Sequence, residues 1–388
     1  PPPRPPPTLT TCTGLQYEST APTGSTDRVC SDLTTCTGLQ YESTAPTTTS
    51  DRVCLVAIDN ANRVAARDLW INDETSATAT YGHIKDWNTS RVTTLYELFM
   101  GETTFNEDLS AWDTSKVTNM QRLFRFNDNF DADLRAWNTA SVTNMNEVFR
   151  GATAFNNGGQ PLTWDVSKVT NMNWMFKDAQ TFDADISTWN TTAVTVMHDM
   201  FMGAAAFNQN IGSWDTANVV GLARMFRDAA AFNQNIGSWV VSKVTAMYEV
   251  FFGATTFNNG GQPLAWDVSK VQNMNWMFKN ATTFDADIST WNTAKVLEMG
   301  QMFYGATAFN YDIRSWNTAS LKNTNSMFVG AATFNARFRC VTGPHIPFTC
   351  STASPTPVPT AYPTPVPTAY PTASPTPVPT AYPTPVPT

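Results

Sequence analysis

Charge is scarce in this sequence: 14% of its residues are Asp, Glu, Lys or Arg, and 24 cations against 32 anions leave a formal net charge of −8. So few cations make no basic field for phosphate backbones or anionic lipid, so nucleic acid is not expected as a partner. Histidine is almost missing. His83, His198 and His345 are scattered, and no paired-histidine metal motif, phosphate-cradling glycine loop or nucleophile elbow is present, so neither an enzyme nor a cofactor is expected. No apolar run reaches the roughly eighteen residues of a membrane-spanning helix. The chain opens at Pro1 without methionine or an apolar secretory segment, which suggests a processed or truncated start. Cysteine is absent from the whole middle of the chain: Cys12, Cys30, Cys36, Cys54, Cys340 and Cys350 are all peripheral. An even number confined to small end modules implies disulfides, an oxidising compartment and hence an extracellular, cell-surface or cell-wall location. Three N-glycosylation acceptors, at Asn88, Asn190 and Asn280, agree with that.

The middle is filled by a repeat. Ten tryptophans (Trp87, Trp112, Trp137, Trp164, Trp189, Trp214, Trp239, Trp266, Trp291 and Trp316) recur every 25 residues, stretched to 27 at two places. Twelve residues after each stands a phenylalanine: Phe99, Phe124, Phe149, Phe176, Phe201, Phe226, Phe251, Phe278, Phe303 and Phe328. A fixed period of this size means that no unit buries its apolar face alone, and the stacked columns of Trp and Phe are the expected structural core. In the copy FDADISTWNTAKVLEMGQMF, Val296, Met299, Met302 and Phe303 are spaced as one stripe of a short helix. Glycine two places after the Phe, as at Gly305, suits a left-handed helix end. Ile288 to Trp291 then reads as a short strand, stacked in parallel with its equivalents. The 27-residue units carry the insertion NNGGQPL, and the stretch from Gly151 returns almost intact from Gly253, 102 residues on.

The remaining segments divide the chain. Residues 1–8 are a Pro-rich linker, and 9–55 hold two copies of a cysteine-rich module. Of the three connectivities open to four cysteines, Cys12 with Cys30 and Cys36 with Cys54 is the expected one. Residues 56–81 read as a helical cap with Ile58, Val64, Ala65, Leu69 and Trp70 on one face, 82–338 as ten coils, and 339–350 as a cap closed by Cys340 and Cys350. Residues 351–388 are a Pro/Thr-rich disordered stalk in an extended polyproline conformation, with O-glycosylation sites.

The unit FNxDIxxWDTSxVTxMxxMFxxA, led in by Leu69 to Trp87, resembles the BspA-like, Mycoplasma-lipoprotein-type surface repeats, a short-period relative of leucine-rich repeats. The Gly-x-x-Tyr-Glu and Thr-x-x-Asp-Arg-x-Cys pattern of the N-terminal pair resembles the cysteine-rich modules of the tumour-necrosis-factor-receptor type. The fold expected is therefore an α/β repeat solenoid, leucine-rich-repeat-like, of ten coils each with a short strand and a short helix, its strands forming a parallel sheet, between small disulfide modules and the stalk. The resemblance implies an exported surface protein in attachment or recognition, with an extracellular protein or glycan as ligand. A structural wall or matrix component is the alternative. Exposed positions that differ between coils would favour recognition, but the copies are alike enough to leave this open.

Further readings attach to single columns. Asn106, Asp131, Asn156, Asp183, Asn208, Asn233, Asn258, Asp285 and Asn310 form one Asn/Asp column, and Asp108, Asp133, Asp185, Asn210, Asn235, Asp287 and Asp312 another. Stacked carboxylates suggest calcium and a calcium-dependent sugar-binding surface, but free interchange of Asp with Asn favours a ladder bonding backbone groups. Threonine two residues after Trp (Thr89, Thr114, Thr139, Thr191, Thr216, Thr293, Thr318) would make an ice-binding array if exposed, with Val166, Val241 and Val268 interrupting it. Trp174 and Trp276 lie outside the core register and are expected on the surface.

Overall fold

The computed structural model describes residues 10–23, 27–344 and 348–353. The linker at 1–8, His345 and the stalk beyond 353 fall outside the described residues. Each N-terminal copy is an antiparallel hairpin, β1 (Gln16–Thr20) with β2 (Val29–Asp32) and β3 (Gln40–Thr44) with β4 (Val53–Val56). Neither hairpin buries enough apolar surface to make a core. Cross-links stand in for one: Cys12–Cys30 and Cys36–Cys54 are disulfides, and Arg28–Glu18 and Arg52–Glu42 pair at 2.9 and 3.0 Å.

The cap differs in detail from the expected single helix. There are two, α1 (Arg63–Asn72) and α2 (Glu74–Tyr81), because Asp73 ends the first and its carboxylate caps the second, accepting the Ser76 N–H at 3.0 Å. The buried face of α1 is Ala66 and Trp70, four residues apart, while Val64 and Ala65 point outward. Trp70 meets Trp87 edge-on, centroids 6.2 Å apart.

The ten coils are not the expected α/β units. Among the described residues the sheets are three two-stranded antiparallel pairs, and α-helices occur only before the first coil and after the last. The expected strand around Ile288–Trp291 is a turn, closed by the Trp291 N–H on the Ile288 carbonyl at 3.2 Å. In place of the expected helix, Met299, Gln301, Phe303 and Gly305 donate their N–H groups to the carbonyls of Asn323, Asn325, Met327 and Val329 in the next coil at 2.8–2.9 Å. Between these rungs the Met302 N–H returns to the Met299 carbonyl at 3.2 Å. Only single-residue parallel bridges result, such as Asn273 with Glu298 and Glu298 with Asn323. The physical reason is room: segments hydrogen-bonded to one another lie about 4.8 Å apart, and a helix roughly 10 Å across cannot repeat at that spacing. Linked turns place Val296, Met299, Met302 and Phe303 inward as a helix stripe would, and all four are fully buried.

Such turns need residues with positive φ. One stands ten residues after every Trp, from Glu97 (φ 55°) to Ser326 (φ 53°), and a second four residues later, glycine in six coils. Inside, the aromatic side chains lie flat on one another: Trp137 and Trp164 are 6.2 Å apart with planes 2° from parallel, and Phe124 and Phe149 are 5.7 Å apart at 7°. A second Phe in each coil packs on the first, as Phe155 does on Phe149 at 3.7 Å. All ten repeat tryptophans are buried. Nine of their indole N–H groups find carbonyls in the preceding coil, Trp189 on Leu162 at 2.7 Å for example, and that of Trp87 finds Gly82 at 3.0 Å, so burial leaves no orphan donor.

At the far end α3 (Ala332–Arg337) and the hairpin β5 (Phe338–Val341) with β6 (Thr349–Thr352) close the stack. Cys340 and Cys350 are bonded across that hairpin. Phe348 meets Trp316 and Phe328 edge-on at 6.4 and 5.7 Å, so crossed rings end a column of parallel ones.

The insertions are plugged rather than open. Asn157, fully buried, accepts the Leu134 N–H at 2.8 Å and donates to the carbonyls of Gln160 and Pro161 at 3.0 Å; Asn259 repeats the arrangement. Replacing Asn157 with Ala strands the Leu134 N–H, and urea titration is expected to show a loss of about 1–3 kcal/mol. An unchanged midpoint would contradict this account of the loop.

Candidate recognition face

The Asn/Asp columns are occupied with backbone. Asp131 accepts the N–H of Asn156 at 2.6 Å, Asp183 that of Asn208 at 2.8 Å, Asn233 that of Asn258 at 2.7 Å and Asp285 that of Asn310 at 2.9 Å. One Oδ1 per coil is all this needs, which is why Asp and Asn interchange. The second column closes local turns, as Asp287 does by accepting the Ser289 N–H at 2.9 Å. Among the described residues no three His, Cys, Asp or Glu side chains converge as they would around a metal ion. An open groove of about 800 Å³ near the last coils is lined by Asp285, Asp287, Asp312 and Arg314. Its carboxylates are engaged, and Arg314, hydrogen-bonding Asp312, pulls that carboxyl down to about 2.

The threonine column, which would bind ice only if exposed, is turned inward in six coils. Thr89, Thr114, Thr139, Thr191, Thr216 and Thr293 are buried, and their hydroxyls donate to carbonyls of the next coil, Thr191 to Asp215 at 2.8 Å. The valines that interrupt them are buried in the same row. Of the glycosylation acceptors, Asn190 and Asn280 are exposed and Asn88 is half-buried, its Oδ1 accepting the Ser90 hydroxyl at 2.7 Å.

Diversity collects elsewhere. The residues nine, ten and thirteen places after each Trp lie together on the turns that replace the helix. Ten places on, the coils read Glu97, Arg122, Glu147, Trp174, Asp199, Arg224, Glu249, Trp276, Gln301 and Ser326; thirteen places on, Met100, Arg125, Arg150, Lys177, Met202, Arg227, Phe252, Lys279, Tyr304 and Val329. Trp174 and Trp276 are half-buried in this band rather than projecting from it. No coil has glycine ten places on, although φ is positive there in every one. For a residue with a side chain that conformation costs roughly 1–2 kcal/mol.

The band is held rigid by its own contacts. Arg122 bridges Glu97 and Glu147, one coil away on either side, at 2.9 and 3.0 Å, and Arg125 and Arg150 also reach Glu147 at 3.0 and 2.9 Å. Burial opposes ionisation of Glu147, but hydrogen bonds from Arg150 and Arg122 and the nearby Arg125 prevail, holding its carboxyl below the ordinary value. Further along, Arg224 forks onto Asp199 at 2.7 and 3.1 Å, and its guanidinium lies 5.3 Å from the Tyr248 ring. Arg227 pairs with Glu249 and covers Phe252 at 4.6 Å, while Lys279 lies over Tyr304 at 4.9 Å. Burial pushes the neighbouring His198 imidazole below its ordinary value. Fourteen places after Trp, large and small alternate: a Cβ added at Gly151 would come within 2.5 Å of Phe126, and one at Gly203 within 2.5 Å of Asp178.

Periodicity within the sequence points to the core and hides this band, since its members share no residue type. The informative signal was the contrast between invariant and diverse columns, which needs the turn geometry before it becomes a surface.

Three consecutive stretches, residues 72–161, 159–263 and 260–341, match one family model, described as "Mycoplasma protein of unknown function, DUF285". This agrees with the expected repeat family at a coarse level. No curated protein and no solved structure matches.

Two carboxylates give opposite pH behaviour. Burial raises the folded-state value of Asp285, so its favourable contribution is complete below the unfolded value and is lost as pH rises through the folded one. Asp285→Asn is therefore expected to melt above wild type at pH 7 and level with it in acid, whereas Asp285→Ala, stranding the Asn310 N–H, loses about 1–3 kcal/mol. Glu147 is depressed, so its contribution is present above the unfolded value and lost as pH falls through the folded one. Glu147→Gln should melt lower by about 1–3 kcal/mol at pH 7, the gap closing in acid. Melting curves across pH check both signs.

Proposed function

We propose, from the premise that this chain belongs to the Mycoplasma protein family of unknown function DUF285, that it is a non-catalytic extracellular recognition or adhesion protein whose ligand-binding surface is the diverse band. The observation that carries this reading is the set of ten non-glycine residues held at positive φ ten places after Trp. Glycine would relieve that strain, but it would forfeit the contacts these side chains make along the band, such as Arg122 with Glu97 and Glu147. Two tryptophans, Trp174 and Trp276, and two arginines, Arg122 and Arg224, stand there among four acids; Trp and Arg are types that dominate binding energy at interfaces. Their mutual ion pairs and ring contacts fix them in place, which lowers the ordering cost of binding.

Extracellular placement is supported by three disulfides with no free cysteine among the described residues. No helix of the described residues is long and apolar enough to cross a membrane. The paired hairpins, similar to cysteine-rich receptor modules, would serve as a separate head.

A glycan and matrix-protein array, probed with and without a calcium chelator, tests the proposal. Binding insensitive to chelator is expected. Trp174→Ala and Arg224→Ala should each weaken it by about tenfold or more, and Thr195→Ala, at an exposed residue six places after Trp and so outside the band, should leave it unchanged. Binding nowhere, or equal loss from face and edge variants, would favour a passive scaffold.

A further inference from the structure

The diverse band has its own period of four coils. Glu97, the pair Arg122 and Arg125, Glu147, and the pair Trp174 and Lys177 follow one another in the first four coils. Asp199, Arg224 with Arg227, Glu249, and Trp276 with Lys279 follow in the next four. The contacts repeat as well as the residues: Arg122 binds the acid one coil before it, as Arg224 does, and Arg125 reaches Glu147 as Arg227 reaches Glu249. The backbone repeats too, with φ 56° at Trp174 and 58° at Trp276.

We propose that this face carries two equivalent binding sites, one centred on Trp174 and Lys177 and the other on Trp276 and Lys279, that bind one linear acidic polysaccharide together; this rests on the recognition reading above. Four coils at about 4.8 Å separate the sites by roughly 19 Å. They are related by displacement along the stack, without the two-fold rotation that pairs symmetric protein partners. A linear polymer presents the same group repeatedly in one orientation. Acidity is argued from charge: thirteen places after Trp the charged residues are Arg125, Arg150, Lys177, Arg227 and Lys279, cations without exception in a protein of net charge −8. The acids ten places after Trp stand behind them and hold the arginines. Each tryptophan beside a lysine supplies an amphipathic ring face for a sugar and a cation for its carboxylate, which takes the place of Asp178 on Lys177, paired at 3.2 Å, and of Gln301 on Lys279, bonded at 2.7 Å.

Alginate and its short oligomers, with a neutral glucan as control, are the probes, measured by calorimetry on full-length protein made without glycosylation so that Asn280, next to Lys279, is bare. Oligomers should bind at two per chain, and Trp174→Ala or Trp276→Ala should each reduce this to one with unchanged affinity. The polymer should bind about 100-fold more tightly than the oligomer, and each single variant should forfeit about that factor. Lys177→Gln and Lys279→Gln, which leave the tryptophans in place, should act in the same way. The inference is overturned if only one site matters, if single variants weaken the polymer no more than about twofold, or if alginate binds no better than the neutral glucan. Should alginate fail while face variants still abolish capture of an array protein, this inference falls and the recognition reading stands.

Discussion

Backbone hydrogen bonding between coils is the constraint from which the rest of this structure follows. Where Met299, Gln301, Phe303 and Gly305 donate to carbonyls 24 residues ahead, successive coils are drawn to the spacing of paired strands. That spacing excludes a helix in each coil, demands left-handed residues to turn the chain, and leaves flat aromatic rings as the side chains that fill the interior one layer per coil. The crossed rings of Trp70 at one end and Phe348 at the other show the same constraint from outside, since a ring that continued the stack would invite another coil.

Hydrogen bonds that the sparse backbone pairing leaves unmade are supplied by side chains. The Asn/Asp ladder, the inward threonines and the indole N–H groups each satisfy one backbone group per coil, across the coil boundary. A sheet would have used backbone for this purpose. The composition of the repeat, rich in Asn, Asp and Thr and poor in charge, is thus a consequence of having turns where a sheet was expected.

This explains what the sequence disclosed and what it withheld. The Trp and Phe columns were legible because a strict period needs no knowledge of local conformation. The ladder was legible from Asp exchanging with Asn throughout both columns, since a bond to backbone needs only the one side-chain oxygen the two share. Secondary structure was not, because linked turns at Met299 and Met302 bury the same positions as a helix would, and the spacing of apolar residues cannot separate the two. The orientation of the threonine beside each tryptophan was left open for the same reason: it depends on a turn that propensity does not specify. The diverse band stayed hidden because its residues, Trp174 and Arg224 among them, become neighbours only once those turns are known.

The alternation at the fourteenth place has a consequence for how such an array lengthens. Phe126, Asp178, Asp228 and Asn280 each lean over a glycine in the coil that follows. Inserting one coil among them would set two side chains against each other or leave two glycines adjacent, whereas inserting a pair restores the sequence of filled and empty positions. An even step keeps the alternation, and the 102-residue copy, four coils long, is such a step. At the end of the stack the alternation lapses, Gly305 and Gly330 standing together with no bulk between them.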